Sequence, residues 1–235
     1  MWEKPQRITQ THLRVLDKEP HRFRRLFLDG LALPNLPRNP EAIERGQQFH
    51  QLMQQQALAL PIDALVAADR DLKRYFDAYE RHPPPSIEGD RQAEYPLAIA
   101  MRGFQLFGVV DLLVTNRDRA QIVDWKTYRR PRELRELEFD WQTRLYLFLL
   151  AETHGYSPAM LSMTYWFAEA PDRPVTLHYD RATHQANRQI LARLLGQLED
   201  WLTHNSFPDG SEFQREIAGA ARQLDVADIP PLPLP

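Results

Sequence analysis

Two aspartates and a lysine stand inside short apolar runs between residues 108 and 126. Asp111 lies in the run GVVDLLV, and Asp124 and Lys126 lie in QIVDWK. Each run predicts a β-strand, and the polar residues 116–119 between them predict a hairpin turn. Because residues two apart on a strand face the same side, Asp124 and Lys126 are predicted to share one face. Charges buried in this way cost several kcal/mol or more unless compensated, so the hairpin predicts either a metal ion or a network of ion pairs.

The same alternation makes a prediction for the first strand. Asp111 is expected on one face with Val109 and Leu113, and the opposite face is expected to carry Val110, Leu112 and Val114. If the two strands pair in this way, two carboxylates and an ammonium converge on one side of a sheet.

Oxygen ligands of this kind suit Mg²⁺ or Mn²⁺ better than zinc. A bound Mg²⁺ lowers the pKa of its water and neutralises phosphate charge. Residues two apart on a strand are separated by roughly 6.6 Å, which is close enough for Lys126 and Asp124 to share one water-sized site. The lysine there would stabilise the negative charge that builds up on a phosphate during hydrolysis.

Composition limits the class of protein. The 235 residues are 43% hydrophobic, which suits one globular domain with a helical appendage. A net charge of -3 carries no global signature of nucleic-acid binding, although a local basic patch would suffice. The absence of cysteine excludes disulfides, thiolate zinc sites and iron–sulfur clusters. Neither a signal-peptide pattern nor an apolar run of about 20 residues is present, so we expect a cytoplasmic protein with no membrane partner.

Helices are predicted before the hairpin. Helix 41–60 is expected to pack on the stripe Ile43, Gly46, His50 and Met53, continuing to Ala57 and Leu60, with the glutamines mainly on the other side. His50 is then either a core histidine bonded to a carbonyl or a site residue. We predict a helical N-terminal region at 1–90, a core at 91–205 and a C-terminal segment at 206–235.

A second Asp-x-Lys tripeptide shows whether this spacing alone predicts that the two side chains share a face. Asp71-Leu72-Lys73 lies in the predicted helix 62–81, where residues two apart do not face each other. The tripeptide therefore carries information only on a strand.

Three further segments bear on the site. Helix 139–154 is predicted to begin at Asp140 and to place Gln142 and Tyr146 on one face. A basic cluster follows the hairpin and is equally consistent with a solvated loop and with phosphate contact; it contains Arg129, Arg130, Arg132 and Arg135. Two strands and a helix at about 181–204 follow, and the ending IPPLPLP predicts a polyproline or disordered tail.

The order of the predicted elements resembles that of the PD-(D/E)XK nuclease superfamily and its RecB-type exonucleases. This order is helices, three strands with acids, a helix with Gln-x-x-x-Tyr, and further strands. The matching segments are Gly46-x-x-x-His50, Gly108-Val109-Val110-Asp111, Asp124-Trp125-Lys126 and Gln142-x-x-x-Tyr146. The resemblance covers roughly residues 9–205. It implies an α/β fold with a restriction-endonuclease-like core, in which a central mixed sheet is flanked by helices and preceded by an N-terminal helical region.

The resemblance also implies roles for individual residues. Asp111, Asp124 and the carbonyl of Trp125 would bind a divalent metal, Mg²⁺ or Mn²⁺, with His50 approaching it, and Lys126 would orient or activate the attacking water. Gln142 and Tyr146 would support the site and contact the substrate backbone. Glu94 matches an upstream acid of the family more loosely. Candidate contacts to substrate phosphate are Arg129, Arg130 and Arg144.

The chain departs from the family pattern at two places. Val110 stands before Asp111 where many members have proline. Where many relatives place the first cysteine of an iron–sulfur cluster, this chain has Glu19 before Pro20, so the cluster must be absent.

The leading hypothesis is a metal-dependent deoxyribonuclease of the RecB-like exonuclease type, acting in DNA repair, recombination or defence. Its partners would be single-stranded DNA or duplex ends, and a helicase or another repair or defence protein, because the chain carries no helicase motif of its own. A second hypothesis is a nuclease fold without catalysis that serves as a DNA-binding or scaffold subunit. A third is a structural α/β protein in which Asp111, Asp124 and Lys126 form a buried ion network.

Overall fold

A computed structural model describes residues 2–31, 40–127 and 134–208. Within these ranges the strands form a single six-stranded sheet. The strands are β1 (Arg7–Ile8), β2 (Asp90–Met101), β3 (Phe104–Thr115), β4 (Ala120–Lys126), β5 (Leu161–Phe167) and β6 (Val175–His178). The α-helices are α1 (Gln10–Lys18), α2 (Pro20–Phe23), α3 (Pro40–Ala57), α4 (Asp63–Ala68), α5 (Arg70–Arg81), α6 (Leu134–Glu138), α7 (Trp141–His154) and α8 (Arg181–His204). A π-helical turn (Arg24–Leu28) follows α2, and a short 3-10 turn (Pro158–Met160) precedes β5.

Strand β3 is the centre of the sheet. It pairs antiparallel with β2 along most of its length, and its other edge pairs in parallel with β1 near its start and antiparallel with β4 near its end. The connection from β4 to β5 contains α6 and α7, and these two strands are parallel, as a helical crossover requires. Strand β6 then pairs antiparallel with β5. The predicted mixed sheet is confirmed.

Helices cover both faces of the sheet. Side chains of α1, α7 and α8 form one hydrophobic cluster with the sheet, and this cluster includes Leu13, Phe148 and Leu194. The second cluster joins α3 and α5 to the opposite face through Phe49 and Tyr75. The result is a three-layer arrangement with the sheet in the middle, which agrees with the predicted fold class.

Helix boundaries follow local capping. The predicted start of α7 is confirmed, because the Asp140 carboxylate accepts a hydrogen bond of 2.8 Å from the Gln142 backbone N–H. The single helix predicted over 62–81 is instead two helices, because Asp69 leaves the helical conformation and caps α5. Asp71 and Lys73 do lie on that helix, as predicted, and Lys73 binds Asp77 at 2.9 Å instead of pairing with Asp71.

The predicted orientation of α3 is partly wrong. The residues that pack on the sheet are Phe49, Leu52 and Met53, whereas Ile43 is 51% exposed. The helix ends at Ala57, before Leu60. Two apolar stripes compete on this helix, and the aromatic side chain at 49 fills the core against Tyr75 and Trp166.

The predicted alternation along β3 is also wrong in one respect. Val110 belongs to the hydrophobic cluster on the α7 side, whereas Leu112 and Val114 belong to the cluster on the α3 side. The β2–β3 ladder lacks a pair at Glu94 and Asp111, and Glu94 has a left-handed φ of +49°. The strands therefore change face at the acid, and Asp111 belongs to neither cluster.

Several predictions fall outside the described residues or stay predictions. Arg129, Arg130 and the proline-rich tail lie outside the described ranges. The division of the chain at residues 90 and 205 stays a prediction. Among the described helices, none combines the length and the apolar character needed to cross a membrane.

Candidate active site

Strands β3 and β4 separate at the candidate site. Their ladder runs from Thr115 paired with Ala120 to Leu112 paired with Val123 and goes no further. Beyond it the Trp125 backbone N–H donates to Asp111 Oδ2 at 2.8 Å. A carboxylate therefore takes the place of a ladder hydrogen bond at the opening between the strands, and its side chain remains 11% exposed.

Asp124 is the most deeply buried acid of the site. Its exposure is 0%, and its Oδ1 accepts a hydrogen bond of 2.7 Å from Gln142 Nε2. Its Oδ2 forms a close ion pair with the Lys126 ammonium but, within the described part of the chain, receives no hydrogen bond of normal geometry. Burial raises the pKa of Asp124 to about 6; Lys126 opposes this shift, and the negative charge of Asp111 adds to it. The buried carboxylate thus has capacity for a further positive partner.

Gln142 holds the catalytic candidates together from the first turn of α7. Its Nε2 donates to Asp124, and its Oε1 accepts a hydrogen bond of 3.0 Å from Lys126 Nζ. The Lys126 side chain is 14% exposed and lines a cavity of about 440 Å³ together with Gln142. The Gln142 amide lies on the face of β4 that Asp124 and Lys126 were predicted to share.

His50 and Glu94 approach Asp111 from α3 and β2. The Nδ1 atom of His50 lies 3.2 Å from Asp111 Oδ2. One ligand atom from each of His50, Glu94 and Asp111 can be chosen so that all three lie within 4.8 Å of one another. Burial alone would lower the pKa of His50, but its hydrogen bond and attraction to Asp111 raise it. Burial raises the pKa of Glu94, and repulsion by Asp111 adds to this effect.

Tyr146 lies beneath the site. It is 4% exposed and packs on the β3 backbone at Gly108, where a Cβ atom would lie 2.6 Å from Tyr146 Cε1. Burial, followed by the charges of Asp124 and Asp111, raises the pKa of Tyr146, and a hydrogen bond with Gln142 opposes this shift. The hydroxyl is therefore neutral at physiological pH. This position favours support of Gln142 over direct contact with substrate.

The Trp125 carbonyl faces the same opening. The backbone N–H and C=O of one strand residue point to the same edge. The Trp125 N–H points to Asp111, whereas the next carbonyl, that of Lys126, accepts from Ala168 N at 2.8 Å on the β5 side.

The structure does not bring Arg144 to this cluster. Its guanidinium lies 5.2 Å and 5.4 Å from the ring centroids of Phe139 and Trp141. Residues 142 and 144 differ by about 200° around the helix, so Arg144 projects away from the face that carries Gln142.

A row of glutamines at the site was missed by the sequence prediction. Gln47, Gln51 and Gln54 line a cavity of about 650 Å³ together with His50 and Asp111. Their spacing of four and three residues is itself a helical stripe next to His50, which was a usable signal. The prediction failed because it turned the glutamine face away from the sheet edge.

Thr127 lines the same cavity and lies close to α3. A Cβ atom on Gly46 would be 3.3 Å from Thr127 Oγ1. The glycine thus allows the end of β4 to approach the helix that carries His50, one turn further on.

A mixed sheet with an Asp-x-Lys strand, a second acid on the neighbouring strand and a supporting Gln-x-x-x-Tyr helix is the arrangement of a metal-dependent nuclease. A sequence model of the PD-(D/E)XK nuclease superfamily matches residues 7–234. The chain therefore belongs to the PD-(D/E)XK nuclease superfamily, whose nucleases use divalent metal ions.

A solved structure shows the same fold at low sequence identity. A protein described as a putative exonuclease from Eubacterium rectale is 11% identical, with a TM-score of 0.57; the match covers 97% of this chain and 91% of that one. A structure described as SSO0001 is 13% identical over 83% of this chain and 78% of that one, but its TM-score of 0.35 is too low to support an argument. The comparison with curated proteins finds no match.

Proposed function

We propose that this protein is a divalent-metal-dependent deoxyribonuclease that hydrolyses phosphodiester bonds, of the RecB-like exonuclease type. One observation carries the proposal: Asp111, Asp124 and Lys126 converge where β3 and β4 separate, and Gln142 bonds both Asp124 and Lys126. The fold shared with a protein described as a putative exonuclease supports the same reaction class.

The donor atoms of the site fit a hard divalent cation. His50, Glu94 and Asp111 offer clustered ligand atoms, and Asp124 has a buried oxygen without a normal hydrogen bond. Carboxylates with one imidazole suit Mn²⁺ or Mg²⁺, and the absence of cysteine excludes an iron–sulfur cluster. Asp111, Asp124 and the Trp125 carbonyl would hold the ion, with His50 and Glu94 at the α3 side. Such an ion, when bound, supplies charge neutralisation of the phosphate and a more acidic water.

The protein side chains supply positioning and charge. The Lys126 ammonium is held by Gln142 and Asp124 beside a cavity that its side chain lines, so it can orient a water and stabilise negative charge on the phosphate oxygens. Gln142 prevents the lysine from turning away, and Tyr146 supports Gln142 from below.

The biological setting follows from this reaction class as a proposal. We expect DNA ends or single strands as substrates, a helicase or another repair or defence protein as a partner, and a cytoplasmic role in repair, recombination or defence. Arg129 and Arg130, next in sequence after β4, and Arg144 on α7 are the proposed phosphate contacts.

The test is hydrolysis of single- and double-stranded DNA with Mg²⁺ or Mn²⁺. Asp124→Ala and Lys126→Ala are each expected to lower the rate constant by about 100-fold or more, because Asp124 would hold the metal ion and Lys126 would stabilise negative charge on the reacting phosphate. Lys73→Ala is the matched control, since it alters the helical Asp-x-Lys copy, which is 59% exposed at the lysine, and it should leave the rate unchanged.

Unchanged rates in both site variants would overturn the mechanism. Titration calorimetry with Mn²⁺ separates the proposal from a non-catalytic subunit, because a protein that binds DNA but never Mn²⁺ would support the latter. The structural ion-network hypothesis requires a protein that binds neither.

A further inference from the structure

Phe139 is an exposed aromatic ring beside the candidate site. It is 58% exposed and lines a cavity of about 440 Å³ that is also lined by Lys126 and Gln142. A single exposed apolar side chain is common on protein surfaces, so what bears on ligand contact is the position of this ring in the wall of the cavity that Lys126 lines.

The backbone at Phe139 is held in place by short-range bonds. Its N–H donates to the Arg135 carbonyl at 3.3 Å, and the following N–H, of Asp140, donates to the Leu137 carbonyl at 3.2 Å. Asp140 then caps α7, the helix that carries Gln142. The backbone that carries the ring is therefore fixed relative to the site by one turn of the chain.

Cations flank the ring. The Arg144 guanidinium lies 5.2 Å from the ring centroid. Arg14 and Lys18 of α1 line the same cavity as Phe139, and the Arg14 side chain is 47% exposed.

Carboxylates also line this cavity, but two of them already bind other side chains and are more buried than Arg14. Asp140 is 9% exposed, binds Arg14 at 2.9 Å and caps α7. Asp17 is 30% exposed and accepts a hydrogen bond of 3.1 Å from the Trp141 indole. Glu136 lies in the wall as well. An approaching phosphate would therefore meet the more exposed Arg14 before the carboxylate of Asp140 or Asp17.

Phe139 also lines a second cavity, of about 570 Å³, which Arg144 shares. The ring thus stands between the space beside Lys126 and a further space along α7 and α8. A chain-like ligand that occupied both spaces would pass this shared residue.

We infer that Phe139 is a stacking platform for one nucleobase of a single-stranded DNA segment that crosses from the Lys126 cavity to the second cavity, with Arg144 contacting a flanking phosphate. Stacking on a protein ring requires a base that is free of its neighbours and partner, so the platform selects single-stranded DNA or an unwound end. The inference deepens the proposed function and rests on it.

The test uses binding without hydrolysis. Fluorescence anisotropy of a labelled 20-mer in EDTA measures affinity for the wild type and for Phe139→Ala, with a single abasic nucleotide placed at successive positions. Phe139→Ala should weaken binding of the intact strand by about five-fold or more, from the usual strength of base–aromatic stacking. One abasic position should weaken wild-type binding equally and have no effect on Phe139→Ala.

Further variants separate stacking from charge and from folding. Phe139→Trp should restore affinity. Arg144→Gln should reduce the salt dependence of binding by about one unit of slope, whereas Phe139→Ala should leave the slope unchanged. Met160→Ala alters another exposed apolar residue, which is 45% exposed and lines neither of the two cavities, and should bind like the wild type.

Two results would overturn the inference. One is that Phe139→Ala binds the intact strand as tightly as the wild type. The other is that Phe139→Ala binds more weakly than the wild type to every one of the abasic strands, whatever the position of the abasic nucleotide. If the wild type cleaves duplex DNA with Mn²⁺ but does not bind the single strand, the platform is refuted and the proposed nuclease function stands. Abasic-dependent binding without any cleavage would refute the nuclease function and retain the platform.

Discussion

Replacing Asp124 with asparagine is expected to stabilise the metal-free protein while removing the proposed nuclease activity. The carboxylate is 0% exposed, and its Oδ2 has a lysine partner but no hydrogen bond of normal geometry. Asparagine has nearly the same shape and retains an acceptor for the Gln142 amide. The change therefore removes a buried charge without opening a cavity.

The expected magnitude follows from the pKa of Asp124. Burial raises this pKa from 3.8 to about 6. Each unit of pKa corresponds to about 1.4 kcal/mol, so the ionised carboxylate costs the folded protein about 3 kcal/mol. The asparagine NH2 group replaces Oδ2 opposite the Lys126 ammonium, which is also a donor and loses its ion-pair partner, and this offsets part of the gain. We therefore expect the free energy of unfolding to rise by about 1–3 kcal/mol at pH 8.

The sign of the pH dependence is fixed by the direction of the shift. A raised carboxyl pKa means that the folded state binds the proton more tightly than the unfolded state, so the wild type loses stability as pH rises from about 4 to about 6. The penalty is complete above that window and absent below it. The stability difference between variant and wild type should therefore grow across the same window.

Urea denaturation in EDTA at pH 5, 6, 7 and 8 measures this difference. Asp77→Asn is the matched control, because this aspartate is 41% exposed and pairs with Lys73 on the surface, and it should stay within about 0.5 kcal/mol of the wild type. Added Mn²⁺ should stabilise the wild type more than the Asp124 variant, because the ion binds the carboxylate of the folded state. An Asp124→Asn protein that is less stable than the wild type at pH 8, or a difference that does not change with pH, would refute the reasoning.

The remaining predictions concern packing and metal affinity. Gly108→Ala should lower the free energy of unfolding by about 1–3 kcal/mol in urea and also slow hydrolysis, because its Cβ would meet the Tyr146 ring at 2.6 Å. Gly196→Ala, whose Cβ would meet only a flexible arginine side chain at 3.3 Å, is the control, and an effect as large as that of Gly108→Ala would contradict the packing argument. His50→Ala and Glu94→Gln should each weaken Mn²⁺ binding by about ten-fold in calorimetry, since each removes a donor from the ligand cluster. Unchanged affinity in both variants would place the ion away from His50 on α3 and Glu94 on β2.

Local pattern alone determined the central hairpin, α7 and α8. A two-residue period dictates that Asp124 and Lys126 share a face, and the four-residue spacing of Gln142 and Tyr146 dictates the same on a helix. Asp140 marked the start of α7 because a side-chain acceptor must satisfy the free N–H groups there. These features depend on neighbours in sequence, so the amino-acid order was sufficient to predict them.

Only the tertiary structure decided how the acids meet. The face change at Glu94 and Asp111 arises from two strands that lose one ladder pair together, and neither strand alone indicates it. On α3, two stripes are each compatible with the helical period, and the choice between them depends on which side chain fills the space on the sheet. The glutamines and His50 consequently face the site while Phe49 enters the core. Residues far apart in sequence set these outcomes through packing, which periodicity within one element cannot report.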